Sequence, residues 1–148
     1  MEAGEAIARE SIRDLISRYN HAGDRGDLVG LCACFHEDGV LDLPDEPPCE
    51  GRAAIRERLQ NVVDESAETP RPARMRHHVS SVGITLGGEG EAEARSYFAV
   101  YTEVGLDHWG VYADRLERRD GVWGFAVRKV RVDGATAESR MAQKYRVA

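Results

Sequence analysis

The chain has little of what most often announces a function. Among 148 residues there are three cysteines, Cys32, Cys34 and Cys49. They cannot all pair, and an odd count predicts reduced thiols in a cytoplasmic setting. The longest apolar run, LCACF at 31–35, is far below the ~20 residues that cross a bilayer. The opening MEAGEAIARE is acidic and has no apolar stretch of the secretory kind, so no leader is expected. Basic residues are in deficit, with 20 Lys and Arg against 26 Asp and Glu and a net charge of −6. That balance speaks against a nucleic-acid or anionic membrane surface, which needs a basic face. The arginines of PRPARMR (Arg71, Arg74, Arg76) stand among prolines and read as a solvated loop. There is no glycine-rich phosphate loop, no serine nucleophile elbow and no HExxH. Cys32, Cys34 and His36 do not make a metal site either, because helix residues two apart point about 200° away from each other. No metal and no cofactor are expected.

What is present is an ordinary globular balance, 42% hydrophobic and 31% charged, in a length that makes one domain. That domain is expected over 1–148, with a core at about 5–133 and a polar tail at 134–148. Ile12, Leu15, Ile16 and Tyr19 recur at helical spacing and predict a helix over 4–22, ended by Gly23. Asp27 fits the N-cap of a short second helix, LVGLCACF. GVLDL (39–43) reads as a strand and PDEPPCEG as a loop, and RAAIRERLQNVVDES (52–66) gives a third helix before the loop AETPRPAR. Beyond residue 74 the pattern alternates. Four long strands follow, with a glycine-rich turn at 87–90 and an Asp120-Gly121 hairpin signal. Helices first and a meander of strands second predict an α+β fold, a curved antiparallel sheet wrapped on three N-terminal helices. Its natural cavity lies between the concave face and the helices.

The candidates for chemistry are His, Asp, Tyr and Arg side chains able to reach that cavity. On a regular strand His78 shares a face with Val82, Ile84 and Leu86, whereas His77 goes with Val79, Ser81 and Thr85. Parity therefore turns His78 inward, either as a satisfied core histidine or as a base. Asp24 stands near the mouth of the helical layer. With Asp27 already capping a helix, Asp24 is either an Asx-turn residue or a carboxylate partner for an imidazole, fixing its tautomer and stabilising its charged form. Arg128 alternates with Gly124, Ala126, Val130 and Val132, and a lone charge on such a face wants an anion or a structural acid. Tyr97, Tyr101, Trp109 and Tyr112, with His108, suggest a small, largely apolar, cyclic ligand.

The segments IRDLISRYNHAGDRGDLVGLCACFHEDGVL, GRAAIRERL, RHHVSSVGI and GVYADRLERRDGVWGFAVRK, spread over roughly 7–132, resemble the SnoaL-like branch of the nuclear transport factor 2-like superfamily. The resemblance implies a cone-shaped α+β barrel and a homo-oligomer, dimer or trimer. The group includes scytalone dehydratase, bile-acid dehydratase, hexachlorocyclohexane dehydrochlorinase, ketosteroid isomerase and polyketide cyclases. It also includes the non-catalytic small subunit of ring-hydroxylating dioxygenases. Its dehydratases pair an Asp after the first helix with a His on the first long strand, which implies Asp24 and His78 here. By the same likeness Tyr19, five before Asp24, matches the tyrosine of the bile-acid enzyme, though it equally continues the apolar stripe. Arg128, five after Trp123, matches the arginine of the dehydrochlorinase. His108 stands only approximately where the scytalone enzyme has its second histidine. A tyrosine beside that enzyme's Asp is replaced here by Gly23. The activity so implied is a cofactor-free lyase of the dehydratase type, His78 acting as general base oriented by Asp24. The alternatives are an isomerase or cyclase using the same pair, or a non-catalytic protein, either a ligand-binding module or the structural small subunit of a ring-hydroxylating dioxygenase.

Overall fold

The computed structural model describes residues 1–67 and 74–141. Three helices come first: α1 (Ala3–Arg25), α2 (Leu28–Ala33) and α3 (Arg52–Ala67). They are interleaved with β1 (Phe35–Asp42) and a two-residue β2 (Cys49–Glu50). Four long strands follow: β3 (Arg76–Leu86), β4 (Glu91–Thr102), β5 (Gly105–Arg119) and β6 (Val122–Ala135). All six strands join one curved sheet in the order β2-β1-β6-β5-β4-β3. The expected α+β architecture and meander are both present. The sheet is not wholly antiparallel, because β1 returns beside β6 in parallel. The loop expected at 67–74, including Arg71, and the end of the expected tail lie largely outside the described residues.

Helix α1 starts with a reciprocal capping box between Glu2 and Glu5. It buries the predicted stripe of Ile12, Leu15, Ile16 and Tyr19 against the sheet. It does not stop at Gly23. The helix runs on to Arg25 and ends at Gly26, whose φ of 70° is the left-handed cap that a side chain would resist. Gly23 stays helical, so Asp24 sits on the last turn of α1 rather than in a loop. Asp27 caps α2 as expected, its side chain accepting from the Gly30 amide at 2.8 Å. At the β5–β6 turn both Asp120 and Gly121 have positive φ, as a two-residue hairpin loop requires.

The second departure is in β3. The β3–β4 register shifts between Ser80 and Gly83, and Ser81 takes φ 51°. This bulge inserts one residue and reverses which alternate positions face inward. His77 and Val79 therefore share the covered face with Val82, Ile84 and Leu86, while His78 faces out. The expected inward placement of His78 fails because the bulge at Ser81 reverses the alternation along the strand.

At Gly110 of β5 there is no room for a side chain. A Cβ built there lies 1.9 Å from the Arg131 carbonyl oxygen and 2.8 Å from Phe98 Cζ. Gly110→Ala is thus expected to cost about 2–3 kcal/mol by forcing β5 and β6 apart, read as a lower denaturant midpoint with unchanged slope.

Candidate active site

The helices and the concave face enclose a cavity of about 180 Å³. Most of its wall is aliphatic, from Leu28 and Leu31 of α2, Leu59 and Val62 of α3, and Val130 and Val132 of β6. Polar groups enter from few places: Tyr19 and Asn20 of α1, His77 of β3, His108 and Tyr112 of β5, and the Glu46–Arg58 ion pair. Among the described residues no cluster of His, Cys, Asp or Glu has the grouping to hold a metal ion. No helix among them is long and apolar enough to cross a membrane.

Asp24 does meet an imidazole, but that of His77. His77 Nδ1 lies 2.6 Å from Asp24 Oδ1, and the His77 backbone amide donates to Oδ2 at 3.0 Å. Asp24 therefore has two tasks. It ties the last turn of α1 to the outermost strand of the sheet, and it fixes the ring. Burial alone would raise the Asp24 carboxyl, but the side-chain and backbone hydrogen bonds from His77 outweigh it and hold the carboxyl below its usual range. The carboxylate is an acceptor only, so Nδ1 carries the proton and Nε2 is the basic nitrogen of neutral His77. Asp24, His77 and Asn20 also line a second cleft beside Arg13 and Ser17.

The depressed Asp24 carboxyl has a consequence for stability. A group whose proton affinity falls on folding stabilises the fold above its unfolded value and loses that contribution as pH falls through its folded value. Asp24→Asn is expected to flatten the decline of stability on acidification below about pH 4, the ordinary carboxyl range. Chemical denaturation at pH 3 and pH 7 would show it.

A second imidazole–carboxylate pair was not anticipated. His108 Nδ1 lies 2.8 Å from Oδ1 of Asp107, its neighbour in sequence, and both side chains are buried. Adjacent residues on a regular strand point apart. Here the register slips on both sides of them, at Val100/Tyr101 and at Trp109/Gly110, which lets both turn inside. Burial lowers the proton affinity of His108, Asp107 opposes this, and the nearby His77 adds to the lowering. His108 is thus a neutral ring at neutral pH, and the two imidazoles resist being charged together.

Tyr19 is buried and lines the cavity; burial pushes its phenol up to about 12, against the pull of Arg128. It is a neutral hydroxyl at neutral pH. Asn20 Nδ2 donates to the Ile16 carbonyl at 2.8 Å, which turns Oδ1 toward the Tyr112 hydroxyl at 3.4 Å.

Arg128 does not line the cavity. It is 0% exposed and holds Asp114 through two hydrogen bonds of 2.9 and 2.8 Å. Its guanidinium carbon sits 4.1–4.3 Å from the ring centres of Tyr19, Tyr112 and Phe125. Of the two readings left open for Arg128, the structure shows pairing with a structural acid, beneath the tyrosines of the cavity. The expected ligand contacts divide by strand parity. His108 and Tyr112 face the cavity, whereas Tyr97, Tyr101 and Trp109 are 52%, 43% and 38% exposed on the opposite face. His78 joins them there, its ring 4.9 Å from that of Tyr101.

A family model for the SnoaL-like domain matches residues 4–129. No curated protein matches the chain. Among solved structures, a Mycobacterium tuberculosis protein of unknown function is 31% identical at a TM-score of 0.74, covering 88% of this chain and 74% of that one. A Catenulispora acidiphila protein solved in complex with S-DNPA is 26% identical at a TM-score of 0.75, covering 86% and 95%. A Novosphingobium aromaticivorans protein provisionally named a scytalone dehydratase is 24% identical at a TM-score of 0.78, covering 92% and 91%, a likeness of fold. The profile match spans both helices and sheet, including Asp24, His77 and His108, and the chain belongs to the SnoaL-like family.

Proposed function

We propose that the protein is a cofactor-independent lyase of the dehydratase type, acting on a small, largely apolar, cyclic hydroxy-carbonyl compound. The observation that carries this reading is the Asp24–His77 pair at 2.6 Å, opening on an aliphatic cavity that also receives His108. His77 takes the place given to His78 by sequence parity.

His77 Nε2 takes a proton from the carbon next to the substrate carbonyl, and the C–H electron pair moves into an enolate. Asp24 stabilises the imidazolium so formed. The enolate collapses to a carbon–carbon double bond as the β-oxygen leaves, and the His77 proton goes to that oxygen, releasing water and restoring the neutral ring. Tyr19, a neutral hydroxyl, donates to the enolate oxygen. His108, kept neutral by burial, is a second polar group on the cavity wall and helps set which face of the substrate ring meets His77. Isomerisation or cyclisation begins with the same proton removal and differs only in the fate of the enolate. The Catenulispora acidiphila neighbour solved with S-DNPA bound supports a small-molecule ligand for this fold.

The test is a panel of cyclic β-hydroxy ketones incubated in deuterated buffer. The expected result is exchange of the proton next to the carbonyl, or loss of water, that disappears in His77→Ala. Saturable binding of panel members with neither exchange nor water loss would instead make the chain a binding module.

A further inference from the structure

The expected tail behaves differently from a tail over its described part. Strand β6 continues to Ala135, and residues 136–141 turn back over the start of β5. They converge on one buried carboxylate. Asp107 accepts from Ser139 Oγ at 2.5 Å and from the Arg140 backbone amide at 2.7 Å. The Thr136 amide donates to the Asp107 carbonyl at 2.8 Å. Met141 then lines the cavity. The same carboxylate holds His108 Nδ1 and accepts from Thr102 Oγ1 at 3.2 Å.

A surface turn does not need to end on a fully buried acid; exposed carboxylates and water serve that purpose at less cost. Asp107 is 0% exposed, and it is fixed jointly by the turn and by the imidazole. We propose that this C-terminal turn is a working part of the site, with Ser139 and Asp107 as positioning residues. Seating the turn on Asp107 closes the cavity with Met141 and locks the ring of His108 in one act. Lifting it to admit substrate or release product frees His108 as well. The assignment of His108 as a substrate-facing group rests on the proposed function; the coupling of the turn to His108 does not.

Among the described residues, the charged groups acting on His108 are Asp107 on its own strand and His77 across the cavity. On the turn, the Arg140 side chain is directed to Glu103 at 2.9 Å and leaves its backbone amide for Asp107. Removing the Ser139 donor makes the Asp107 carboxylate a stronger partner for the imidazolium and admits water beside the ring. Both changes favour protonated His108, so its titration moves to higher pH.

The experiment is an NMR titration of the histidine rings in the full chain. Ser139→Ala is expected to raise the His108 midpoint by up to about one unit, the spread that environment gives histidines in folded proteins. Ser139→Thr should restore it. Arg140→Pro, which removes the amide donor, should raise it likewise, and Arg140→Ala, which keeps the amide and loses the side chain that pairs with Glu103, should not. A His108 midpoint unmoved in both Ser139→Ala and Arg140→Pro overturns the proposal. A shifted midpoint in a protein that turns over none of the ketone panel keeps the coupling and removes the dehydratase reading. Turnover with an unmoved midpoint does the reverse.

Discussion

His77→Ala is expected to lower turnover by about a thousand-fold, within the range that a positioned general base supplies, while His78→Ala stays near wild type. The two residues are neighbours of the same type on one strand, so the comparison isolates placement from chemistry. His78 is on the outer face against Tyr101, and His77 is the ring that reaches Asp24 and the cavity. Asp24→Asn should give a smaller loss in turnover. An asparagine oxygen can still accept from the His77 amide, but the amide cannot stabilise an imidazolium as a carboxylate does. The measurement is kcat/KM across pH for the wild type and the three variants. Equal losses in His77→Ala and His78→Ala would sink the assignment of the base.

How much of this was legible in the sequence differs from residue to residue, and the reasons are physical. The α1 stripe, the Asp27 cap and the Asp120-Gly121 turn were readable because each rests on contacts within a few residues. The fold class followed from the order of such elements. Faces of long strands were less secure, because parity is a running count and one inserted residue reverses everything beyond it. Ser81 carries no sequence mark of its positive φ, so His77 and His78 exchanged roles. Irregular pairing around His108 likewise hid Asp107, which regular alternation puts on the opposite face. The helix end was misplaced by three residues because two glycines compete there and only Gly26 takes the left-handed conformation. Even so, Asp24 was singled out, and the extra turn of helix places it against β3. Arg128 was recognised as a charge in need of a partner. The hairpin count alone would have set it opposite Ala113, and the register shift between Arg115 and Leu116 moves it onto Asp114.

That pair gives the largest expected effect on stability. Asp114 and Arg128 face each other across β5 and β6, and both side chains are 0% exposed. Burial works against the Arg128 charge, and the Asp114 carboxylate more than offsets it, so the guanidinium remains charged. Arg128→Met leaves a buried carboxylate without its two charge-assisted hydrogen bonds, a cost of about 3–5 kcal/mol. The three aromatic rings around the guanidinium lose their cation at the same time. Arg128→Lys should fall between, since an ammonium cannot make the paired contact of a planar fork. The informative variant is the double replacement Arg128→Met with Asp114→Leu. With neither charge left in the core, much of the loss should return, because an apolar pair of similar volume is often as stable as a buried ion pair. Denaturant midpoints for the two single variants and the double one close the cycle, and the coupling should be strongly non-additive. Additive losses would show that the ion pair is not the source of the cost and that ring packing around Arg128 is. Tyr19 and Tyr112 rest on the guanidinium and line the cavity above it, so the same cycle measures the footing of the site. A core that recovers its stability but not its turnover would show that the cation's second task is to hold those two phenols in place.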